Sequence, residues 1–271
     1  MTTSQPVRLQ NDKTPTVGVL IRFASSQDTL PPVLEALKQQ SLKPGVILGV
    51  GSQSCDGSGA LIEAAGGQVI GWPGAYEHSK VLNYGLRHLA TDLVLILSSH
   101  TILESPDTLA RMVSAMQDPR TACVSGKWDG DGYYTDRIDW QELRAKGLKL
   151  GSIYSNSMGM IRRSFWMEEP FDEGAKTAED YAWAVSQVKR GYVCQRMDFP
   201  FSYRRSGVSR DLQFTEVAFK LARQHRLPVV WLGVLRSLLE LFRGILADSE
   251  FVPLHLARLK GWILSRRAFC G

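Results

Sequence analysis

Two adjacent carboxylates, Glu179 and Asp180, open the stretch AEDYAWAVSQVKR. Side by side in sequence, they point in different directions and cannot face each other as a pair. One can orient a hydroxyl while the other takes its proton. A helix start that favours negative charge explains the same pair without chemistry. Three further clusters carry groups suited to anions, phosphates or metals. Arg22 ends an apolar run, either as a solvated strand end or as a contact for an anionic ligand. Ser52-Gln53-Ser54-Cys55-Asp56-Gly57-Ser58 is rich in hydroxyls and turn formers, a composition any strand-to-helix turn favours. Ser98-Ser99-His100 follows another apolar run, and its imidazole suits a metal, a phosphate or a structural hydrogen bond equally.

These groups form a site only if the elements before them end at one edge. Thr16–Phe23 (TVGVLIRF) has the length and continuous apolarity of a buried parallel strand, and so does Leu93–Leu97 (LVLIL). Gly45–Val50, Val69–Ile70 and Ala122–Trp128 add strands. Pro31 and Pro32 open a helix carrying Leu30, Val33, Leu34 and Leu37 on one stripe, and Ala60–Ala65, Lys80–Leu89 and Thr108–Met116 read as helices. This alternation predicts an α/β layer with a mainly parallel central sheet flanked by helices. Such sheets bind ligands beyond the carboxyl ends of their strands. Further on, the pattern predicts a helix over Arg137–Lys149, a strand over Ser152–Met160 and a helix over Ala178–Arg190.

Composition narrows the class. The 271 residues are 44% hydrophobic and 22% charged, ordinary globular usage that excludes a disordered, collagenous or coiled-coil chain. The net charge of +5 is local: residues 1–202 carry −2, and residues 203–271, with twelve basic against five acidic side chains, carry +7. That tail places Leu235, Leu238, Leu239 and Phe242 opposite Arg236, Glu240 and Arg243, and Trp262 beside Arg258 and Lys260. It reads as a C-terminal amphipathic helical extension over 213–271. Its helices pack back on the domain or lie on an anionic membrane surface as a peripheral contact. Residues 1–15 read as a disordered tail without the apolar stretch of a secretory leader, and no run reaches the length of a spanning helix. Cys55, Cys123, Cys194 and Cys270 lie far apart without metal-ligand spacing, as reduced thiols do. The expectation is a cytoplasmic chain, with peripheral association at the inner membrane face. No nucleic-acid recognition motif accompanies the basic tail. IRFASS stands where a dinucleotide-binding G-x-G-x-x-G would follow the first strand.

Taken in order, these motifs resemble family-2 glycosyltransferases, inverting nucleotide-sugar enzymes of the GT-A fold, and within them the bacterial rhamnosyltransferase-like branch. The opening VGVLIRFASSQDTLPPVLEALKQQ is similar to that branch through Ile21-Arg22, Leu34 and Gln40. VGSQSCDGSG resembles the donor-binding turn VDxGSxDGT at Ser54, Asp56 and Gly57. YEHSKVLNYGLRHLATDLVLILSSH matches at Lys80, Leu82, Asn83 and Gly85. Ser98-Ser99-His100 stands where the branch often has Ser-Ala-His and most relatives have Asp-x-Asp. Asn156, Arg162-Arg163, Phe171-Asp172-Glu173 and Glu179-Asp180 follow in the acceptor-side half. The resemblance covers residues 16–205, within a domain expected over 16–212.

The resemblance implies displacement at the anomeric carbon with inversion. Asp180 stands at the catalytic-base position, with Glu179 and Asn156 toward the acceptor. Arg22, Ser52, Asp56, Lys80, Asn83, Ser98, Ser99 and His100 fall on the donor side. The leaving diphosphate gains charge that a cation must meet. A divalent Mn²⁺ or Mg²⁺ usually does so, with His100 as the one candidate ligand here. Lys80 and Arg204 or Arg205 are further candidates, Arg204 and Arg205 standing where many relatives place a histidine. Two departures leave metal use and turnover open: Gly51 replaces the donor-turn aspartate, and Ser98-Ser99-His100 holds no carboxylate. The implied partners are a nucleotide-sugar donor and a saccharide or lipid-linked saccharide acceptor of surface polysaccharide synthesis. The rival expectation is a degenerate relative that binds a partner without catalysis.

Overall fold

Valine, leucine and isoleucine dominate residues 17–23 and 93–98, and these become the central strands of a sheet covered on both faces. The computed structural model describes residues 14–52, 56–127, 132–149, 153–175, 177–203, 217, 220–228 and 256. Its first half runs β1 (Val17–Phe23), α1 (Leu30–Gln39), β2 (Val46–Ser52), α2 (Ser58–Ala64), β3 (Gln68–Trp72), α3 (His78–Arg87) and β4 (Leu93–Ser98). There follow β5 (Thr101–Leu103), α4 (Thr108–Ala115), β6 (Thr121–Gly126), β7 (Arg137–Ile138), α5 (Trp140–Lys146) and β8 (Met158–Arg162). The chain continues through α6 (Arg163–Glu168), α7 (Glu179–Lys189), β9 (Val193–Met197) and β10 (Phe201–Tyr203). The main sheet has the order β3-β2-β1-β4-β8-β6-β9-β7. Its first four strands are mutually parallel, as are β6 and β9, while β8 and β7 run against their neighbours.

Side chains alternate across β1 and β4 with the period of two that a strand imposes. Leu20, Val94 and Ile96 join the core built with α3, α5, α6 and α7. Val19, Ile21, Leu93, Leu95 and Leu97 join the opposite core with α1, α2 and α4. On α1, Pro31 and Pro32 occupy the first turn, where their missing N–H groups cost nothing. At its far end the buried Gln40 amide donates to Ser105 O (2.9 Å) and accepts from Leu109 N (2.9 Å), tying α1 to the start of α4.

Two expected elements are corrected. The helix expected over 137–149 begins at Trp140, where the Asp139 side chain accepts from Glu142 N (2.9 Å) and caps it. Arg137–Ile138 instead pairs with β9 as an edge strand. The strand expected over 152–160 is displaced to Met158–Arg162, leaving Asn156 and Ser157 in a turn. The extension expected from residue 213 lies mostly outside the described residues. Leu221, Ala222 and Leu227 pack into the core shared with α7. Among the described residues no helix is long and apolar enough to cross a membrane.

On α3 the side chain of Asn83 is fully buried. Its Nδ2 donates to Phe171 O (2.8 Å) and Glu173 Oε1 (3.0 Å), while Oδ1 accepts from Trp166 Nε1 (2.9 Å) and Phe171 N (3.1 Å). One amide therefore joins α3, α6 and the loop ahead of α7. Two positions on, Gly85 lets α3 approach the sheet, since a Cβ there would fall 2.5 Å from Leu20 Cδ1. Asn83→Ala leaves several buried polar groups unpaired, so urea unfolding should show a loss of about 2–4 kcal/mol. A loss below about 0.5 kcal/mol would contradict the bracing role.

Candidate active site

The alternation that buries Leu20 carries Arg22 to the α3 face at the carboxyl end of β1, where its register partner on β4 is Ser98. Arg22 Nη1 hydrogen-bonds His78 Nδ1 at the start of α3 and donates to the Tyr76 hydroxyl (3.4 Å), which itself lies 3.3 Å from His78 Nδ1. The Tyr76 and His78 rings meet edge to face at 5.0 Å. Burial works against the charge of Arg22 and is the largest single influence. The opposing field of Tyr76, Glu179, Asp180 and Tyr203 outweighs it and raises the guanidinium pKa. Arg22 is thus a fixed cation within the electrostatic field of both carboxylates.

Those carboxylates occupy the first turn of α7, after Ala178 in left-handed backbone (φ 59°). A non-glycine residue there stores strain, as residues that aim functional groups often do. Asp180 Oδ2 accepts from Asn156 N (2.9 Å) and Oδ1 from Tyr181 N (2.8 Å), while buried Glu179 receives a bond from Asn156 Nδ2 (3.4 Å). Burial, then the neighbouring Glu179 charge, pushes Asp180 up to about 7, against the pull of the two backbone N–H groups and Arg22. Behind the pair lie the Tyr154 hydroxyl and the Cys123 thiol, which contacts Cys194 Sγ at 3.0 Å. Burial raises both Tyr154 and Cys123, so both are neutral at pH 7.

The turn bearing Asn156 also reaches β4, because Ser98 N donates to Ser157 O (3.0 Å). Ser98 Oγ lies 3.3 Å from His100 Nε2, and the His100 ring meets Tyr203 edge to face at 4.8 Å. Tyr203 arrives there because β10 pairs with β5. Burial, then Arg22, lowers the His100 pKa, leaving a neutral imidazole at pH 7.

Arg22, Ser98, His100, Asn156, Glu179 and Asp180 therefore gather at one edge of the sheet. Other residues expected on the donor side have partners of their own. Asn83 is corrected to a structural brace, because its amide is consumed in the interior. Asp56 accepts from Gln27 N (3.1 Å), Ser58 N (3.2 Å) and Ser58 Oγ (2.7 Å), which ties the loop after β1 to the start of α2. Ser99 Oγ meets Ser26 Oγ (2.9 Å) in the same tie. Lys80 pairs with Glu77 (2.8 Å), and that bond raises its pKa. Ser52 ends β2 in register with Trp72. Arg204 and Arg205 lie outside the described residues. The sequence reading missed Tyr76, His78 and Tyr203. Tyr76-x-His78 at the start of a helix, and Tyr203 directly ahead of Arg204, were the available signals. A separate concavity lined by Arg120, Trp140, Arg144 and Tyr192 lies toward the opposite ends of β6 and β9.

The donor set does not fit a resident divalent ion. Among the described residues no three His, Cys, Asp or Glu side chains converge. Ser98, Ser99 and His100 offer hydroxyls and one imidazole where Mg²⁺ or Mn²⁺ prefers charged oxygens, and the register neighbour of Ser98 is a guanidinium.

Comparison with known proteins places this chain in a family. The chain is 26% identical over 198 residues to the O-antigen chain rhamnosyltransferase RfbN of Salmonella typhimurium, a match covering 65% of this chain and 62% of that protein. Among solved structures, the mannosyltransferase PcManGT of Pyrobaculum calidifontis, in complex with GDP-Man and Mn²⁺, is similar with a TM-score of 0.59. It is 17% identical, with 95% of this chain and 73% of that one covered. TarS of S. aureus (residues 1–349, with UDP) is similar with a TM-score of 0.56 and 15% identity, over 76% of this chain and 64% of that one. These likenesses carry the GT-A-like mixed α/β fold. The model of glycosyl transferase family 2 matches residues 19–174, more than half of the sequence, and the chain belongs to that family.

Proposed function

We propose that this chain is an inverting glycosyltransferase. It moves a sugar from a nucleoside-diphosphate donor to a hydroxyl of a saccharide or lipid-linked saccharide in surface polysaccharide synthesis. The observation that carries this reading is Asp180, a carboxylate with a pKa of about 7 facing a fixed guanidinium at the sheet edge. A general base works best with a pKa near the operating pH, and burial beside a second carboxylate brings an aspartate there. Asp180 takes the acceptor proton as the acceptor oxygen attacks the anomeric carbon. The bond to the diphosphate breaks, and its electron pair leaves with the phosphate. Glu179 and Asn156, hydrogen-bonded to each other, orient the acceptor side. Ser98 and His100 line the donor side.

The acceptor class is supported by the name of the Salmonella relative, and a nucleoside-diphosphate donor by the UDP and GDP-Man in the two solved structures. Arg204, Arg205 and the basic tail extend the proposal. The arginines would add positive charge beyond Tyr203. The tail, with net charge +7, would hold the chain peripherally on an anionic inner membrane face. The competing reading, a binding protein without turnover, draws on the carboxylate-free Ser98-Ser99-His100 and on Gly51.

The two readings part at Asp180. With a panel of UDP-, GDP- and dTDP-sugars and a lipid-linked acceptor, Asp180→Asn should lower kcat by about 10²–10⁴-fold while donor affinity stays within about two-fold. Donor binding with no transfer by the unaltered chain would favour the binding protein. The rate should rise with pH through an apparent pKa of about 7, where burial and the neighbouring Glu179 charge hold Asp180. Stability should run the other way. Asp180 binds its proton more tightly folded than unfolded, so the folded state loses stability as pH rises from about 4 to about 7 and levels off above. Denaturant melts of Asp180→Asn across this range should show that slope removed. An unchanged slope would contradict the burial argument.

A further inference from the structure

We propose that this chain transfers its sugar without a divalent cation, and that Arg22, held by Tyr76 and His78, supplies the positive charge facing the departing diphosphate. The inference rests on the glycosyltransferase reading above and goes beyond it in assigning the electrostatic catalyst. Arg22 leaves β1 in register with Ser98, so its side chain emerges beside the start of Ser98-Ser99-His100 on the same face of the sheet. Neither serine brings the charge a metal would need, and His100 adds a single uncharged-donor ring whose Nε2 lies 3.3 Å from Ser98 Oγ. A divalent ion here would sit next to a guanidinium with no carboxylate of this triplet to offset the repulsion. The guanidinium itself is preorganised. One Nη is engaged by His78 and Tyr76, while Nε is buried with no hydrogen-bond partner among the described residues. A buried donor without a partner is costly, and a phosphate oxygen would satisfy it.

In the step this implies, the new bond joins the acceptor oxygen to the anomeric carbon as the bond from that carbon to the diphosphate oxygen breaks. The electron pair stays on the diphosphate beside Arg22, and the acceptor proton goes to Asp180. The two ends of the displacement thus face groups already coupled in the resting site. Arginine suits the task because its planar fork matches phosphate oxygens and its charge is permanent.

Calorimetric titration of the full chain with UDP, GDP and dTDP, in excess EDTA and again in Mn²⁺, tests the inference without relying on turnover. At least one of these nucleotides should bind in EDTA with a Kd within about two-fold of its value in Mn²⁺. Arg22→Gln should weaken that nucleotide by about 10- to 100-fold while leaving the affinity of the matching uncharged nucleoside unchanged, and Arg22→Lys should recover part of the loss. Binding seen only with Mn²⁺, or an affinity indifferent to Arg22→Gln, would overturn the metal-free assignment and leave the glycosyltransferase reading standing. A folded chain that binds none of the three in either condition would overturn both. If Arg22→Gln fails to fold by circular dichroism, the EDTA and Mn²⁺ arms on the unaltered chain decide the matter alone.

Discussion

A carboxylate taken out of water beside another carboxylate keeps its charge only if something nearby favours it, and a guanidinium taken out of water needs the reverse. The ends of β1 and α7 meet both demands with one arrangement. The field of Tyr76, Glu179 and Asp180 offsets the burial of the permanent Arg22 cation, and Asp180 stays within reach of ionisation at neutral pH because two backbone N–H groups and Arg22 counter its burial. Each side alone would be an expensive buried charge. Together they form a site with a permanent positive group and a carboxylate that changes state near pH 7.

The scaffold exists to hold these groups in register. Parallel pairing of β1 with β4 sets Arg22 against Ser98. The antiparallel insertion of β8 beside β4 brings the Asn156–Ser157 turn between the Ser98 backbone and Asp180. The left-handed turn at Ala178 aims the first turn of α7 at the same edge. Asn83 and Gly85 let α3 lie close against the sheet, and His78, at the start of that helix, inherits its placement. The ties through Asp56, Ser58, Ser26 and Ser99 steady the loops after β1 and β4. Residues that look like ligands by their motif positions thus divide into those that touch the open edge and those that hold it still.

Much of this was legible where local pattern and burial agree. Residues 17–23 and 93–97 are too continuously apolar to be anything but buried strands, and a charged residue ending one of them marks a ligand-facing edge. Glu179 and Asp180 were visible as a helix start, although nothing local marks Asp180 as a carboxyl raised by burial. Local pattern failed where long-range pairing decided the outcome. Arg137–Ile138 precedes a good helical stretch, yet Ile138 is fully buried and pairs with β9. Asn83 sits in a motif suggestive of binding, but saturation of its amide depends on Trp166, Phe171 and Glu173, more than eighty residues away. Tyr76, His78 and Tyr203 carry only faint local signals, because long-range topology brings them to Arg22 and His100.

The central claim is electrostatic: burial and Glu179, tempered by Arg22, set the Asp180 carboxyl to titrate near neutrality. Isotope-edited infrared titration of the unliganded chain, with Asp180→Asn as the difference reference, reads that group directly. A carboxyl band that ionises at about pH 7 is the predicted result. Ionisation at the ordinary aspartate value of about 4 would contradict the account.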